Sequence, residues 1–501
     1  MNILQQDWIS KWALYAPNKI AIKEFESGRT LTYKQLNKQG NKLAHYLTTN
    51  LNISKGDRII FVAENCLEYL LFFMAAQKTG IILVPLNYRL TSSELDGLIN
   101  ISEPILLIYD EGNKEKVKGT EFSKNNVDKS FDIVEFFKLL KYTNIEDENY
   151  FPINKLDENH PIFILFTSGT TGVPKGAIYT HKMLFWNSVN TALSLIINTD
   201  TKTINCMPPF HTGGWNVLVT PVLHHGGSLV ITKSFCAKTT LKLIEDEEFT
   251  LFFGVPTMLK MMSEESSFEN TNFSSLMYCI VGGEAMPIPL IEIWKKQSVL
   301  IRQGYGLTEV GPNLTSLHHD DAIRKKGSIG RPNFYVQTKI TNNLGEKVGA
   351  NERGELLLKG PMVTPGYWQN KEETNKSIID GWFHTGDVVI SDEEDYLYVV
   401  DRIKNMYISG GENVYPAEIE RVLQAHEEIV EAAVINVSHD KWGEVGKAFI
   451  VVRDNNLTEK EIVDYCKTKL AKFKIPKHIV FLKEIPKNDT GKIDRKSLKE
   501  I

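Results

Sequence analysis

Residues 167–176 read Thr-Ser-Gly-Thr-Thr-Gly-Val-Pro-Lys-Gly and follow an apolar run, 161–166, that has the pattern of a buried strand. Hydroxyls, glycines and one lysine gathered in a single turn suit a polyphosphate. Gly169 and Gly172 let the backbone bend so that N–H groups point inward, Thr167, Ser168, Thr170 and Thr171 add donors, and Lys175 supplies a fixed positive charge. The same composition also describes an ordinary polar strand-to-helix turn. It is not the Walker phosphate loop, which needs four residues between two glycines and a Ser or Thr directly after the lysine. Here Gly176 and Ala177 follow Lys175.

Three further glycine-bearing stretches stand beside apolar runs: Pro208-Pro209-Phe210-His211-Thr212-Gly213-Gly214-Trp215, then Gly282-Gly283-Glu284-Ala285, then Gly304-Tyr305-Gly306-Leu307-Thr308-Glu309. The elements that position them are short apolar strands near 203–207, 228–232, 251–254 and 278–281, with helical patterns between. Such alternation predicts a parallel sheet covered on both faces, with ligands at the carboxyl ends of its strands. The four loops are therefore expected on one rim.

An earlier block alternates in the same way: helical spacing at 33–47, a β-rich run at 58–63, a helix at 67–80, and strands at 81–86 and 105–109. Residues 111–159 are rich in Lys, Glu, Asp and Asn with weak periodicity, and are expected to form a solvated connection. From 327 to 402 short β-like runs and turns predict a small antiparallel or barrel-like unit. After Lys404, a helix at 416–426 with Pro near its first turn and strands at 431–437 and 447–452 predict a small α+β domain.

Composition narrows the function classes. With 501 residues, burial capacity is not limiting, and 57 basic against 62 acidic residues, net charge −5, argue against a nucleic-acid binder or general membrane-surface binder. Cys66, Cys206, Cys236, Cys279 and Cys466 are dispersed, with no zinc spacing, and read as reduced, mostly buried thiols. The first twenty residues lack the apolar core of a signal peptide, and the run 67–86 is broken by Glu68, Gln77, Lys78 and Gly80. These point to a cytoplasmic protein without a transmembrane segment; peripheral membrane contact and a homodimer stay open.

Seven stretches in order, 167–176, 208–215, 282–285, 305–309, 381–387, 401–416 and 486–492, resemble the motifs of adenylate-forming enzymes of the acyl-CoA synthetase type over nearly the whole chain. The resemblance implies an α/β fold. A large amino-terminal domain of parallel αβα layers with a small β-barrel-like unit would span 1–403, and a small mobile α+β carboxyl-terminal domain 404–501. It also implies two steps: a carboxylate and Mg-ATP give an acyl adenylate and pyrophosphate, and a coenzyme A thiol then displaces AMP.

In those terms Ser168, Thr170, Thr171 and Lys175, with Thr167, Gly169 and Gly172 in the same loop, would hold the β and γ phosphates. Thr308 would reach the α-phosphate and Glu309, a hard oxygen ligand, would hold Mg²⁺. Tyr305 would stack on adenine beside Gly283, Glu284, Ala285 and Gly306, with Asp387 and Arg402 on the ribose. Lys492 matches the catalytic lysine that bridges the substrate carboxylate and the α-phosphate. Lys404 would be the hinge, after which Gly410 and Gly411 meet the pantetheine arm, Trp442 stacks on the CoA adenine, and Lys477 with Lys472 and Lys474 faces its phosphates. Some relatives carry Arg where this chain has Ile475, which puts the phosphate contacts in doubt.

His211 stands where amino-acid-activating relatives carry Asp, which suits a plain carboxylate better than an amino acid. Trp215 lies where fatty-acyl members place a gating tryptophan, and also reads as a core residue. The pocket candidates Val255, Met258, Gly282, Gly306, Val310 and Gly311 are apolar or small, without a charge to meet a second carboxylate or an amine. The expected substrate is a medium- or long-chain fatty acid. Aryl acids of the coumarate or succinylbenzoate kind are the alternative, and transfer to a carrier protein and a non-catalytic nucleotide-binding regulator stand behind it. The adjacent pairs His224-His225 and His318-His319 are expected to diverge and to be structural or solvated.

Overall fold

Six strands make the largest sheet, in the order Ser130–Asp132, Leu106–Tyr109, Arg58–Val62, Ile82–Pro85, Pro161–Thr167, Lys175–Thr180. The first five run parallel. Every residue of Leu106–Tyr109 and Ile82–Pro85 is buried, which is why these runs read as continuous rather than alternating: a parallel strand is covered on both faces. The crossover from Arg58–Val62 to Ile82–Pro85 is the helix Leu67–Thr79, buried at every position but Glu68, and it ends at Gly80.

The protein is seen here as a computed structural model that describes residues 7–142, 156–167, 174–284, 286–453, 457–487 and 492–501. One unit comprises 1–338 with 358–383, the other 339–357 with 384–501. The first unit holds two more sheets. In one, Ile20–Glu24, Ser228–Ile231 and Lys202–Asn205 run parallel with Thr30–Thr32 antiparallel at the edge. In the other, Leu251–Gly254, Tyr278–Val281 and Ile301–Leu307 run parallel, and Gly311–Leu317 and Arg331–Pro332 return antiparallel. Among the described residues no helix is long and apolar enough to cross a membrane.

Three sequence expectations change. The segment 111–159 is not a mere connection: it contributes the edge strand Ser130–Asp132 and the helix Ile133–Tyr142, whose Ile133, Phe136 and Leu140 are buried on one face. The surrounding lysines and acids mask that spacing in composition. The glycine-rich stretch after 167 does not lead into a helix, because Pro161–Thr167 and Lys175–Thr180 are antiparallel partners with Thr167 opposite Lys175. The helix His181–Leu195 starts only after the second strand, capped by Thr180. Residues 304–307 are likewise strand rather than loop, paired with Gly311–Leu317.

In the second unit Asp387–Ser391, the latter half of the strand Trp382–Ser391, pairs antiparallel with Leu397–Arg402. The terminal sheet orders Glu412–Val414, Tyr407–Ser409, Gly443–Val452 and Ile429–His439, with His478–Phe481 parallel to Gly443–Val452. The helix Pro416–Gln424 buries Ile419 and Leu423 against that sheet, beside Ile462, Cys466 and Ile475. Burial of Ile475 explains an aliphatic residue at that position.

Candidate active site

Residues 168–173 and Ala285 lie outside the described residues, so the expectations for Ser168, Gly169, Thr170, Thr171, Gly172 and Ala285 do too. The two ends of the first loop are described: Thr167 meets Glu309, and Lys175 meets Glu373. Glu309 stands in the single 3₁₀ turn Thr308–Val310 that joins Ile301–Leu307 to Gly311–Leu317. Its Oε1 accepts a hydrogen bond from the Tyr367 hydroxyl at 3.0 Å and lies 3.5 Å from the Thr167 hydroxyl. Lys175 is buried, ion-paired with Glu373, and 5.7 Å from the centre of the Tyr367 ring. Burial, and then the Glu309 charge, push the Tyr367 phenol far above its ordinary range, so it stays a donor. Tyr367 and Glu373 were not legible as site residues; each comes from far along the chain.

The loops that follow Lys202–Asn205, Leu251–Gly254 and Tyr278–Val281 do converge. Phe253, at the end of Leu251–Gly254, is the hub: a Cβ on Gly213 would lie 3.4 Å from its ring, and one on Gly282 3.5 Å. A Cβ on Gly282 would also meet the Gly304 carbonyl at 3.7 Å, and one on Gly283 would meet Val255 at 3.6 Å. Gly306 packs on Pro312, and Tyr305 is half-buried, opposite Thr315. His211 is half-buried, its ring 4.6 Å from that of Phe210. Glu284 is exposed beside Gly283.

Three expected pocket residues belong to the interior, among them Met258, which is buried in an apolar core cluster. Val310 is fully buried, and Gly311 is pressed against Asn187, where a Cβ would come within 2.9 Å. Trp215 is only 2% exposed; its indole N–H donates to the Pro209 carbonyl at 2.7 Å, and its ring packs on Tyr69, Phe73 and Phe163. In this conformation it is a core residue. The histidine pairs do not diverge as expected: ring centres lie 4.7 Å apart in His224-His225 and 3.9 Å in His318-His319. The chain turns at both places, so neither regular spacing applies.

In the second unit Asp387 and Arg402 are cross-strand partners, with Arg402 Nε 2.5 Å from Asp387 Oδ1. Asp387 is 2% exposed, and Arg402 also donates to the Thr385 carbonyl at 3.1 Å. Lys404 is exposed in the turn Ile403–Asn405. The turn is clamped by buried Asp401, whose carboxylate accepts from the Asn405 amide group at 3.0 Å and from the Ala417 N–H at 2.7 Å. Asp401 is a third residue, after Tyr367 and Glu373, for which sequence reasoning found no role.

Gly410 and Gly411 form the two-residue turn between Ser409 and Glu412, with φ +61° and +89°. That geometry asks for glycine on its own account. A Cβ on Gly410 would strike the Trp442 ring at 2.7 Å, so the turn and the tryptophan are packed together. Lys472 and Lys477 line a cleft of about 530 Å³ with Lys467, Val463, Leu470 and Pro476. Lys474 turns away to pair with Glu418 at 2.6 Å. Lys492 follows residues outside the described set, and its neighbours are anchored: Lys487 bridges to Ile493, the Asp494 N–H donates to Pro486 at 2.8 Å, and Arg495 pairs with buried Glu420 at 2.5 Å.

The comparisons with known proteins give the class of enzyme to which this fold belongs. The AMP-binding enzyme family profile matches residues 9–368, and the AMP-binding enzyme C-terminal domain matches 418–492. Feruloyl-CoA synthase of Amycolatopsis is 33% identical over 496 residues, covering 97% of this chain and 96% of that protein. The long-chain-fatty-acid–CoA ligase FadD13 of Mycobacterium tuberculosis is 33% identical over 490 residues, with 97% and 96% covered. Among solved structures, o-succinylbenzoate CoA synthetase of Bacillus subtilis with its acyl-adenylate intermediate superposes with a TM-score of 0.87 at 31% identity, covering 99% and 98%. The chain belongs to the AMP-binding enzymes and, within them, to the adenylate-forming acid–CoA ligases.

Proposed function

We propose that this ligase joins a medium- or long-chain fatty acid to coenzyme A. The observation that carries this reading is the uncharged wall formed by Phe253, Val255, Gly213 and Gly282, which offers nothing to pair with a second carboxylate. A second reading, an aryl acid, draws support from Trp215, which is held in the core by its bond to Pro209 rather than standing free as a gate for a long chain. A CoA-ligation assay across fatty acids of graded length and aromatic acids decides. Highest kcat/KM on a medium- or long-chain acid is expected; a maximum on an aryl acid replaces the first reading with the second.

Enzymes of this class use ATP, Mg²⁺ and CoA. The residues present fit such ligands: Glu309 is a hard oxygen donor already oriented by Tyr367, and Lys175 is a buried cation at the hairpin mouth. Mg²⁺ at Glu309 would neutralise phosphate charge. In this reading Thr167, Ser168, Thr170, Thr171 and Lys175 bind the β and γ phosphates, Thr308 the α-phosphate, and Tyr305 the adenine. Asp387 accepts from the ribose hydroxyls while Arg402 holds its other side. The substrate carboxylate attacks the α-phosphorus, pyrophosphate leaves, and Lys492 stabilises charge developing on the oxygens. The CoA thiolate then attacks the acyl carbon and AMP leaves, with Trp442 and Lys477 binding the nucleotide end of CoA. Lys404 would serve as the hinge between a domain of residues 1–403 and one of 404–501.

A further inference from the structure

The segment 364–374 is built around Glu309 from below. The Thr364 N–H donates to the Glu309 carbonyl at 2.7 Å, and the Thr364 hydroxyl to the Ile178 carbonyl at 2.7 Å. The Ile178 N–H donates to Gly366 at 3.1 Å and the Trp368 N–H to Gly176 at 2.7 Å, so 366–368 lies along the strand that carries Lys175. Gly366 has φ +142°, and a Cβ there would come within 2.4 Å of Thr374. The Thr374 hydroxyl in turn accepts the Tyr367 N–H at 2.9 Å. One of these contacts is made by the Tyr367 backbone itself, and the others hold its neighbours Thr364, Gly366 and Trp368. The Tyr367 ring is 7% exposed and its hydroxyl points at Glu309 Oε1.

We infer that Tyr367 is a positioning residue for the adenylation step: its hydroxyl, with that of Thr167, holds Glu309 Oε1 and turns Oε2 toward a divalent cation. Both hydrogen bonds fall on Oε1, and among the described residues none falls on Oε2. A carboxylate that is already oriented loses less freedom when it takes a metal, and removing such an outer partner weakens metal binding by roughly 10-fold or more. The inference rests on the reading of Glu309 as the Mg²⁺ ligand.

The test compares Tyr367→Phe, which keeps the ring and loses only the hydroxyl, with Glu309→Gln. Calorimetric binding of an ATP analogue with an α,β-methylene bridge is followed at increasing Mg²⁺, alongside acid-dependent pyrophosphate exchange and thioester formation from supplied acyl adenylate. Tyr367→Phe is expected to raise the Mg²⁺ concentration at half-maximal analogue binding and exchange by roughly 10-fold, with acid KM, thermal midpoint and thioester formation close to the parent. A parent-like Mg²⁺ midpoint, or equal losses in both half-reactions, overturns the role of Tyr367. If Glu309→Gln keeps its Mg²⁺ dependence, the metal assignment itself fails and the inference falls with it. Loss in Glu309→Gln with no change in Tyr367→Phe sinks only the inference.

Discussion

Lys175 and Glu373 are ion-paired at the start of the strand Lys175–Thr180, 198 residues apart in the chain, with both side chains largely out of water. Glu373 stands near the amino end of the helix Lys371–Ser377, whose Asn370 cap receives the Glu373 N–H at 3.0 Å. The Glu373 backbone is therefore fixed by its helix cap, and its carboxylate occupies the cation that, in the proposed reading, meets the triphosphate.

If Lys175 binds the triphosphate as proposed, ATP and Glu373 compete for one charge, since a carboxylate beside Lys175 repels phosphate oxygens as well as neutralising the lysine. Glu373→Gln keeps the size and the cap but removes the charge. The ATP KM for pyrophosphate exchange should fall about fivefold, corresponding to about 1 kcal/mol for a partly exposed pair, with acid KM unchanged. A rise in ATP KM would show that Glu373 orients Lys175 instead of restraining it.

The Phe253 ring lies against both Gly213 and Gly282, and in the proposed reading it forms part of the wall that meets the acid. Phe253→Leu shortens the wall at a modest packing cost. The ratio of kcat/KM for a branched or aryl acid over a straight fatty acid should rise by roughly tenfold, the scale of discrimination that small changes in an apolar pocket produce. An unchanged ratio removes Phe253 from the pocket.

Much of this arrangement was legible because it is local. The strands at 58, 82, 106 and 278 announce themselves by unbroken apolar runs, and the hydroxyl-rich loop by composition. Tyr367, Glu373 and Asp401 were not, because nothing in a tyrosine after a glycine, or a glutamate in a charged helix, tells which distant lysine or carboxylate it will face. The Glu309–Tyr367 contact spans 58 residues, and only tertiary packing selects it. Composition misled at 111–159 for the opposite reason: three buried apolar side chains suffice to seat the helix Ile133–Tyr142, whatever its solvent face carries.

Two buried histidines make stability depend on pH. His181, with His160 and Lys55 nearby, and His224, stacked on Trp8 at 3.9 Å and beside His225, are each lowered to about 3 from 6.5, chiefly because burial disfavours the charged ring. Between those values the unfolded chain binds a proton that the folded chain refuses. Stability is thus full above about pH 6.5 and falls with acidification, at about 1.4 kcal/mol per pH unit for each histidine. Urea melts from pH 7.5 to 5.5 should show a shallower slope in His224→Gln than in the parent. Parallel slopes would mean that His224 titrates equally in both states.

Lys492 offers the sharpest separation of the two half-reactions. Its flanks are pinned by the Lys487–Ile493 bridge and the Arg495–Glu420 pair, so a substitution at 492 itself leaves the surrounding fold anchored. If Lys492 stabilises charge as the carboxylate attacks the α-phosphorus, Lys492→Ala should slow pyrophosphate exchange by roughly 10² to 10³. Thioester formation from supplied acyl adenylate, where no phosphorus is attacked, should drop far less. Lys492→Arg keeps the charge but spreads it over a planar group, and should recover only part of the exchange rate. Equal losses in the two assays would assign Lys492 to the stability of its loop, and the charge that drives adenylation would have to be sought at Lys175 and Thr308.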